Sequence, residues 1–281
     1  MAYPPSIPAP STFISFLRCL QYHSKPITSF RSTLSRRIIN PRGHRISEDC
    51  YTVTLPNTTA IFIASADSAG PLSQKVGAES KPIAQFSDEE LLARFTRGFF
   101  GGNIFAPERF ILGIGGVKMF QAQFDGYQQR FEHGHSVGGI DVLKPSDIPK
   151  DKLLPINSKI YGGFLVIDSH ILPTSSTPSQ GSTNELETLY SYIDIGFGLG
   201  DFGGAHRFSI HRQCPHEPQK QANWLSSEKD REVITFSLSH FTCNPNRAED
   251  TLATVRYLNW FHQWYARVLF ADALKGVMGY Y

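Results

Sequence analysis

Residues 244–275 read NPNRAEDTLATVRYLNWFHQWYARVLFADALK, and this stretch decides the fold. Asn244 and Pro245 form a helix-start signal: a side chain that can cap orphan N–H groups, then a residue whose missing N–H costs nothing at the first helical position. Leu252, Val255, Leu258, Phe261, Tyr265, Val268 and Leu269 recur at spacings of three and four, which puts them on one face. Gly276 is a natural stop. The spacing predicts a helix of about 30 residues, roughly 45 Å long at 1.5 Å per residue. A soluble domain must cover that face with a wide apolar surface. Three strand-like segments between Leu189 and Cys243 supply it, so the expected plan is a long terminal helix lying across an antiparallel sheet.

Working outward, the three segments are Leu189–Gly198, Ala205–Arg212 and Glu232–Cys243, with a polar loop over Pro215–Asp230. Upstream, Lys118–Phe124, Gly134–Leu143 and Lys159–Leu172 carry strand signals, and Pro173–Asn184 is a Ser/Thr/Pro/Gly-rich loop. Ser87-Asp88-Glu89-Glu90 is a capping box that opens a helix with Leu91, Leu92, Phe95 and Phe99 on its apolar face. A short helix over Pro107–Leu112 follows. Tyr51–Leu55 and Thr59–Ala64 read as strands joined by Pro56-Asn57, before a polar loop over Asp67–Pro82. Paired glycines at 101, 115, 138, 162 and 203 read as bends and bulges of a curved sheet.

Composition bounds the function classes. Apolar residues make up 41% of the 281, enough for a sizeable core, and 21 Phe with 11 Tyr suit a thick core or an apolar pocket. No run of 18 apolar residues exists, so no transmembrane helix is expected. Cys19, Cys50, Cys214 and Cys243 have no metal-like spacing and read as free thiols in a reducing compartment. Of 27 Lys and Arg, seven lie in residues 1–47, which hold no acid; the remaining 20 face 25 acidic side chains. The body is mildly acidic, and nucleic acid is not an expected partner. The basic arm, residues 1–47, reads either as a solvated arm packed on the domain of a cytoplasmic protein and dispensable for its folding, or as a mitochondrial transit peptide. Residues 48–281 read as one domain.

The order strand, two helices, about six strands and a long terminal helix resembles the helix-grip fold of the START and pollen-allergen superfamily. Within it, residues 189–275 are most similar to an uncharacterised family of START-like domains, through DIGFGLGDFGGAHRFSIHR (194–212), EVITFSLSHF (232–241) and HQWYARVLFADAL (262–274). The resemblance implies an α+β fold whose antiparallel sheet wraps the last helix and leaves an internal cavity. The family's acidic pair is replaced here by Ala205-His206, so no role of those acids carries over.

Alternation assigns the inward side chains. Leu189, Ser191, Ile193, Ile195 and Phe197 share one face, with Tyr190, Tyr192 and Asp194 on the other. Phe208 and Ile210 bring His206 with them; Ile234, Phe236 and Leu238 bring His240. A histidine on an apolar face is commonly a hydrogen-bonded core residue, but both can act as general acid or base because imidazole titrates near working pH. His206 and His240 are therefore the candidate catalytic residues. Ser191, Phe208, Phe236, Tyr257 and Tyr265 are the candidate substrate contacts. Trp260 and Trp264 read as core or rim.

Other motifs are weaker. His133 and His135 point the same way on a strand and could share an ion, with His170, His206, His211, Asp168 or Asp194 as a third ligand. No H-E-x-x-H or Cys-rich signature supports this, so no metal and no cofactor are expected. Gly196–Gly200 lacks the helix and Gly-Lys-Ser/Thr ending of a phosphate loop. No G-x-S-x-G elbow exists, and nothing marks Cys214 as a nucleophile. The expected function is cofactor-free acid–base chemistry on a hydrophobic small molecule, such as cyclisation, dehydration or isomerisation. The alternative is a non-catalytic lipid or hydrophobic-ligand carrier.

Overall fold

A computed structural model of the chain describes residues 12–23, 29–63, 79–114, 122, 124, 126, 138–173, 190–213, 233–247 and 252–280, with 252–262 described as helix backbone alone. The three segments nearest the terminal helix form long strands: β8 (Ser191–Leu199), β9 (Phe202–Gln213) and β10 (Val233–Cys243). They join β1 (Gln21–His23), β2 (Ile46–Pro56), β5 (Asp141–Val142), β6 (Lys159–Ile160) and β7 (Phe164–His170) in one sheet, ordered β1-β2-β10-β9-β8-β7-β6-β5. Every pairing is antiparallel except β5 with β6. A separate hairpin pairs β3 (Ala60–Ile63) with β4 (Glu79–Pro82). The fold is α+β, a large curved antiparallel sheet with the C-terminal helix packed on its side.

Among the described residues four α-helices precede the last: α1 (Thr12–Cys19), α2 (Leu34–Ile39), α3 (Asp88–Gly101) and α4 (Ala106–Ile114). Ser87 Oγ accepts from the Glu90 N–H at 3.1 Å, which caps α3 as the sequence predicts, while the Glu90 carboxylate turns to Arg94. The final helix, α5, runs Leu252–Val277. Its expected start at Asn244 is displaced: Asn244 Oδ1 accepts from the N–H groups of Asn246 and Arg247 and so closes a turn of its own. The expected strand over 159–172 is two strands, because Tyr161 and Gly162 take positive φ angles of 50° and 71° and reverse the chain. The sheet's bulge falls between Val166 and Asp168 rather than at a glycine pair. Lys118–Phe124 and Gly134–Leu143 fall largely outside the described residues, with Asp141–Val142 paired as β5.

The inner face of the sheet carries Val53, Ile193, Ile195, Phe208, Ile210, Ile234, Phe236 and Leu238, as alternation predicts. The terminal helix does not cover this face alone. Phe95 of α3 lies between the two layers, its ring 5.0 Å from Phe208, 5.7 Å from Phe236 and 5.3 Å from Phe270 of α5. A Cβ at Gly98 would stand 2.4 Å from the Ala273 carbonyl oxygen, so the α3–α5 crossing requires glycine there. Phe99 and Phe100 extend the cluster. Phenylalanines of α3 thus fill the space between the sheet and α5 around Phe208, Phe236 and Phe270.

The outer face is also covered. Phe30, Ile38 and Ile39 bury against Leu165, Ile167, Ala205, Phe241 and Cys243. Asp194 and Arg207 form a bidentate pair at 2.7 and 2.8 Å beneath this layer. Ser35 of α2 donates to the same carboxylate, and Arg207 Nη1 donates to Tyr190 Oη at 2.9 Å. The guanidinium lies 4.9 Å from the Phe30 ring centre and 4.3 Å from that of Tyr192. Residues 29–40, read from composition as part of a separable basic arm, are a packing layer: their charges are interleaved with Phe30, Ile38 and Ile39, whose burial composition does not register. Cys19, Cys50 and Cys243 are free thiols.

Candidate functional site

Register places three polar side chains in one row across the inner face. His240 of β10 pairs with His206 of β9 on one side and with Asp49 of β2 on the other. The His240 Nδ1 atom lies against Asp49 Oδ1. The two imidazoles stand 6.1 Å apart between ring centres, inclined at 49°. A carboxylate against Nδ1 orients the imidazole and fixes which nitrogen carries the proton. Asp49 escapes a reading that starts the strand at Tyr51; continuing the alternation of Tyr51 and Val53 one step back would have placed it on this face.

This row is walled in. His206 is 7% exposed and His240 4%. The Phe197 ring lies 4.7 Å from the His206 ring and the Phe99 ring 5.5 Å. Gly204 makes room for this: a Cβ there would meet the Phe197 ring at 2.7 Å and the Phe241 carbonyl oxygen at 2.2 Å. On the far side of Phe197 lies an open pocket of about 360 Å³, within the range of small-molecule sites. Its walls are Ile111 and Leu112 of α4, Gly163, Phe164 of β7, Phe197 and Gly198 of β8, and Phe202 of β9. Among the described residues one titratable side chain, Glu108 of α4, lines it. Neither histidine does.

Glu108 is held by its neighbours. The Tyr265 hydroxyl of α5 contacts Glu108 Oε2 and lies 3.1 Å from the Ile104 carbonyl oxygen. One hydroxyl hydrogen cannot serve both acceptors. A protonated Glu108 resolves this by donating to Tyr265 while Tyr265 donates to Ile104. Burial pushes the Glu108 carboxyl up to about 7, against the lowering effects of the Tyr265 hydrogen bond and the Arg109 charge. The Tyr265 hydroxyl is itself pushed up, first by burial and then by Glu108. The turn before α4 fixes this geometry: Arg109 donates to the carbonyls of Phe100 and Gly102 at 2.7 and 2.6 Å, and Asp272 accepts from the Ile104 N–H at 2.9 Å.

The remaining expected residues fall elsewhere. Phe208 and Phe236 are fully buried around Phe95 and line no pocket wall among the described residues. Ser191 donates to Asp88 Oδ2 at 2.6 Å and accepts from the Leu172 N–H at 3.0 Å; Asp88 in turn accepts from Arg212, so Ser191 fastens the start of α3 to the sheet. Tyr265 is at the pocket, through Glu108. The side chains of Tyr257 and Trp260, and His133, His135 and Cys214, lie outside the described residues. Trp264 is exposed. Of the proposed third metal ligands, Asp194 and His206 sit on opposite faces of the sheet, and Asp194 is taken by Arg207. Among the described residues no three His, Cys, Asp or Glu side chains are grouped to hold an ion, and no helix is long and apolar enough to cross a membrane.

Sequence reasoning missed Glu108 because nothing in PERFILG distinguishes it from a solvated helix residue. Only the partner 157 residues away on α5 does so. Comparison with models of known families, with curated proteins and with solved structures finds no match in any of the three.

Proposed function

We propose that this chain is a helix-grip protein of the START-like kind that takes a hydrophobic small molecule into the pocket beside Phe197. There it acts on the ligand by cofactor-free acid–base chemistry, with Glu108 as the proton-transfer group. One observation carries the reading: an apolar wall with a single carboxyl, raised to about 7 and hydrogen-bonded to Tyr265. A carboxyl poised there exchanges a proton near neutral pH, as general acid–base catalysis requires. In its acid form Glu108 protonates a carbonyl, hydroxyl or double bond of the ligand; as carboxylate it removes a proton from carbon. Tyr265 keeps the carboxyl oriented at the pocket wall. Cyclisation, dehydration and isomerisation all fit such a pair.

A second reading, a carrier of lipids or other hydrophobic ligands, is favoured by the screening of His206 and His240 behind Phe197 and Phe99. The experiment is native purification, mass spectrometry of the retained ligand, and its incubation with wild-type protein, Glu108→Gln and Tyr265→Phe. The enzyme reading expects wild-type turnover and a loss of about 10²–10⁴-fold in Glu108→Gln. A retained ligand that wild-type protein never converts establishes the carrier. Turnover undiminished in folded Glu108→Gln removes Glu108 from the chemistry.

A further inference from the structure

A second concave site lies apart from the apolar pocket, between the C-terminal ends of α3 and α5 and the 145–150 segment. It is lined by Phe62, Arg94, Arg97, Lys150 and the backbones of Gly98, Gly101, Gly276 and Gly279. Its volume of about 180 Å³ holds roughly six water volumes, enough for a small ion and less than an apolar ligand needs. Among the described residues three cations face it and no carboxylate lines it. Arg94 gives one terminal nitrogen to Glu90 at 3.1 Å, while its buried Nε has no hydrogen-bond partner among the described residues. Arg97 donates one nitrogen to the Ile148 carbonyl. No carboxylate among the described residues stands within ion-pair distance of Arg97 or Lys150. Of the acids nearest in sequence, Asp147 is engaged by Lys144 and by the N–H groups of Leu143 and Lys144, and Asp151, next to Lys150, is exposed and does not line the hollow.

We infer that this site binds a small oxyanion, a phosphate group held by the fork of Arg97 with Arg94 and Lys150 around it. The partial negative charge at the end of α3 falls on a last turn that holds no basic residue, and Arg94 and Arg97 stand before it. Nor does that charge account for Lys150, which is exposed, comes from a different segment and still faces the same hollow. A planar guanidinium with free donors matches a phosphate better than it matches a helix end. Glycines make the floor: Gly279, at φ 82°, lies so close to Phe62 that a Cβ would stand 1.9 Å from the Phe62 carbonyl oxygen. Backbone is thereby left bare beside the cations.

The test is calorimetric titration of the full chain with inorganic phosphate and, separately, with glycerol phosphate. Saturable binding of either is expected. Arg97→Gln should weaken it about ten-fold, as loss of a charged hydrogen bond does. Lys150→Glu, an exposed change that leaves packing intact, should abolish it. Lys159→Gln, which neutralises an exposed lysine on β6, should leave it unchanged. Tighter binding of glycerol phosphate than of phosphate identifies the natural ligand as a monoester; the reverse order identifies the free ion. No binding of either anion, or binding that Lys150→Glu and Lys159→Gln reduce equally, overturns the inference. Circular dichroism of each variant separates lost binding from lost fold.

Discussion

The two faces of the sheet both bury ionisable groups, and they treat them in opposite ways. On the outer face Asp194 is saturated: two bonds from Arg207, one from Ser35, and the guanidinium capped by Phe30 and Tyr192. On the inner side Glu108 has Tyr265 and an apolar pocket, and burial leaves its carboxyl near 7. A carboxylate held by three donors, two of them on an opposite charge, serves as a fastener. A carboxyl with one partner and little solvent is undecided between two states, which is what proton transfer uses. The difference lies in the number and charge of the neighbours rather than in burial itself.

The largest effect expected from breaking this contrast is at the outer layer. Removal of residues 1–40 should uncover Leu165, Ile167, Ala205 and Phe241 and strip Asp194 of Ser35. Phe30 alone is fully buried, and losing such a side chain costs about 3–5 kcal/mol. The truncated chain should lack a cooperative thermal transition by calorimetry. An unchanged melting curve would mean that the layer is dispensable and the arm separable after all.

Asp194→Asn is expected to come next. It leaves Arg207 buried with a neutral partner, and breaking such a pair costs about 3–5 kcal/mol, readable in urea unfolding. The paired replacement Asp194→Leu with Arg207→Met should recover most of that loss, because no charge is then stranded. Equal damage from the single and the double change would refute the fastener reading.

The smallest effect belongs to Glu108 and depends on pH. Its folded value, about 7, stands above the ordinary 4.5. Between those values the folded chain keeps a proton that the unfolded chain has released, so stability falls as pH rises through this window and then levels off. The group is partly open to solvent, which reduces the expected span to about 1–2 kcal/mol. Glu108→Gln should flatten that slope. Tyr265→Phe removes the hydrogen bond that holds the carboxyl down and should shift the window to higher pH. A wild-type stability profile without this slope would place Glu108 as an ordinary surface acid.

Much of the architecture was legible because strands alternate. Leu189–Gly198, Ala205–Arg212 and Glu232–Cys243 became β8, β9 and β10 with the predicted inward set, and His206 and His240 did fall on one face. Their direct opposition in register was not legible, since side-chain period says nothing about which residue meets which across a ladder. Alternation also sent Asp194 and Arg207 outward, correctly, but outward reads as solvated unless something covers it. The cover is α2, about 155 residues upstream, and no local pattern announces such a partner. Tyr265 was singled out as a helix aromatic; Glu108 was not, because its special environment arises only where α4 meets α5. Phe208 and Phe236 were read as substrate contacts, and the Phe95 ring of α3 packs against both; an inward aromatic looks the same in sequence whether a helix or a ligand sits against it.

The outer layer also sets an order of events during synthesis. Ser35 and Asp194 are 159 residues apart in sequence, and β2 must wait for β10, nearly 190 residues later, before its central pairing exists. The segment that forms this layer therefore precedes its docking surface in the chain and must wait for it. Phe30, Ile38 and Ile39 remain uncovered while most of the chain is still being made. Contacts this distant slow folding and leave sticky surface exposed along the way. The basic, acid-free character of residues 1–47 keeps that waiting segment charged and self-repelling until its docking surface is complete.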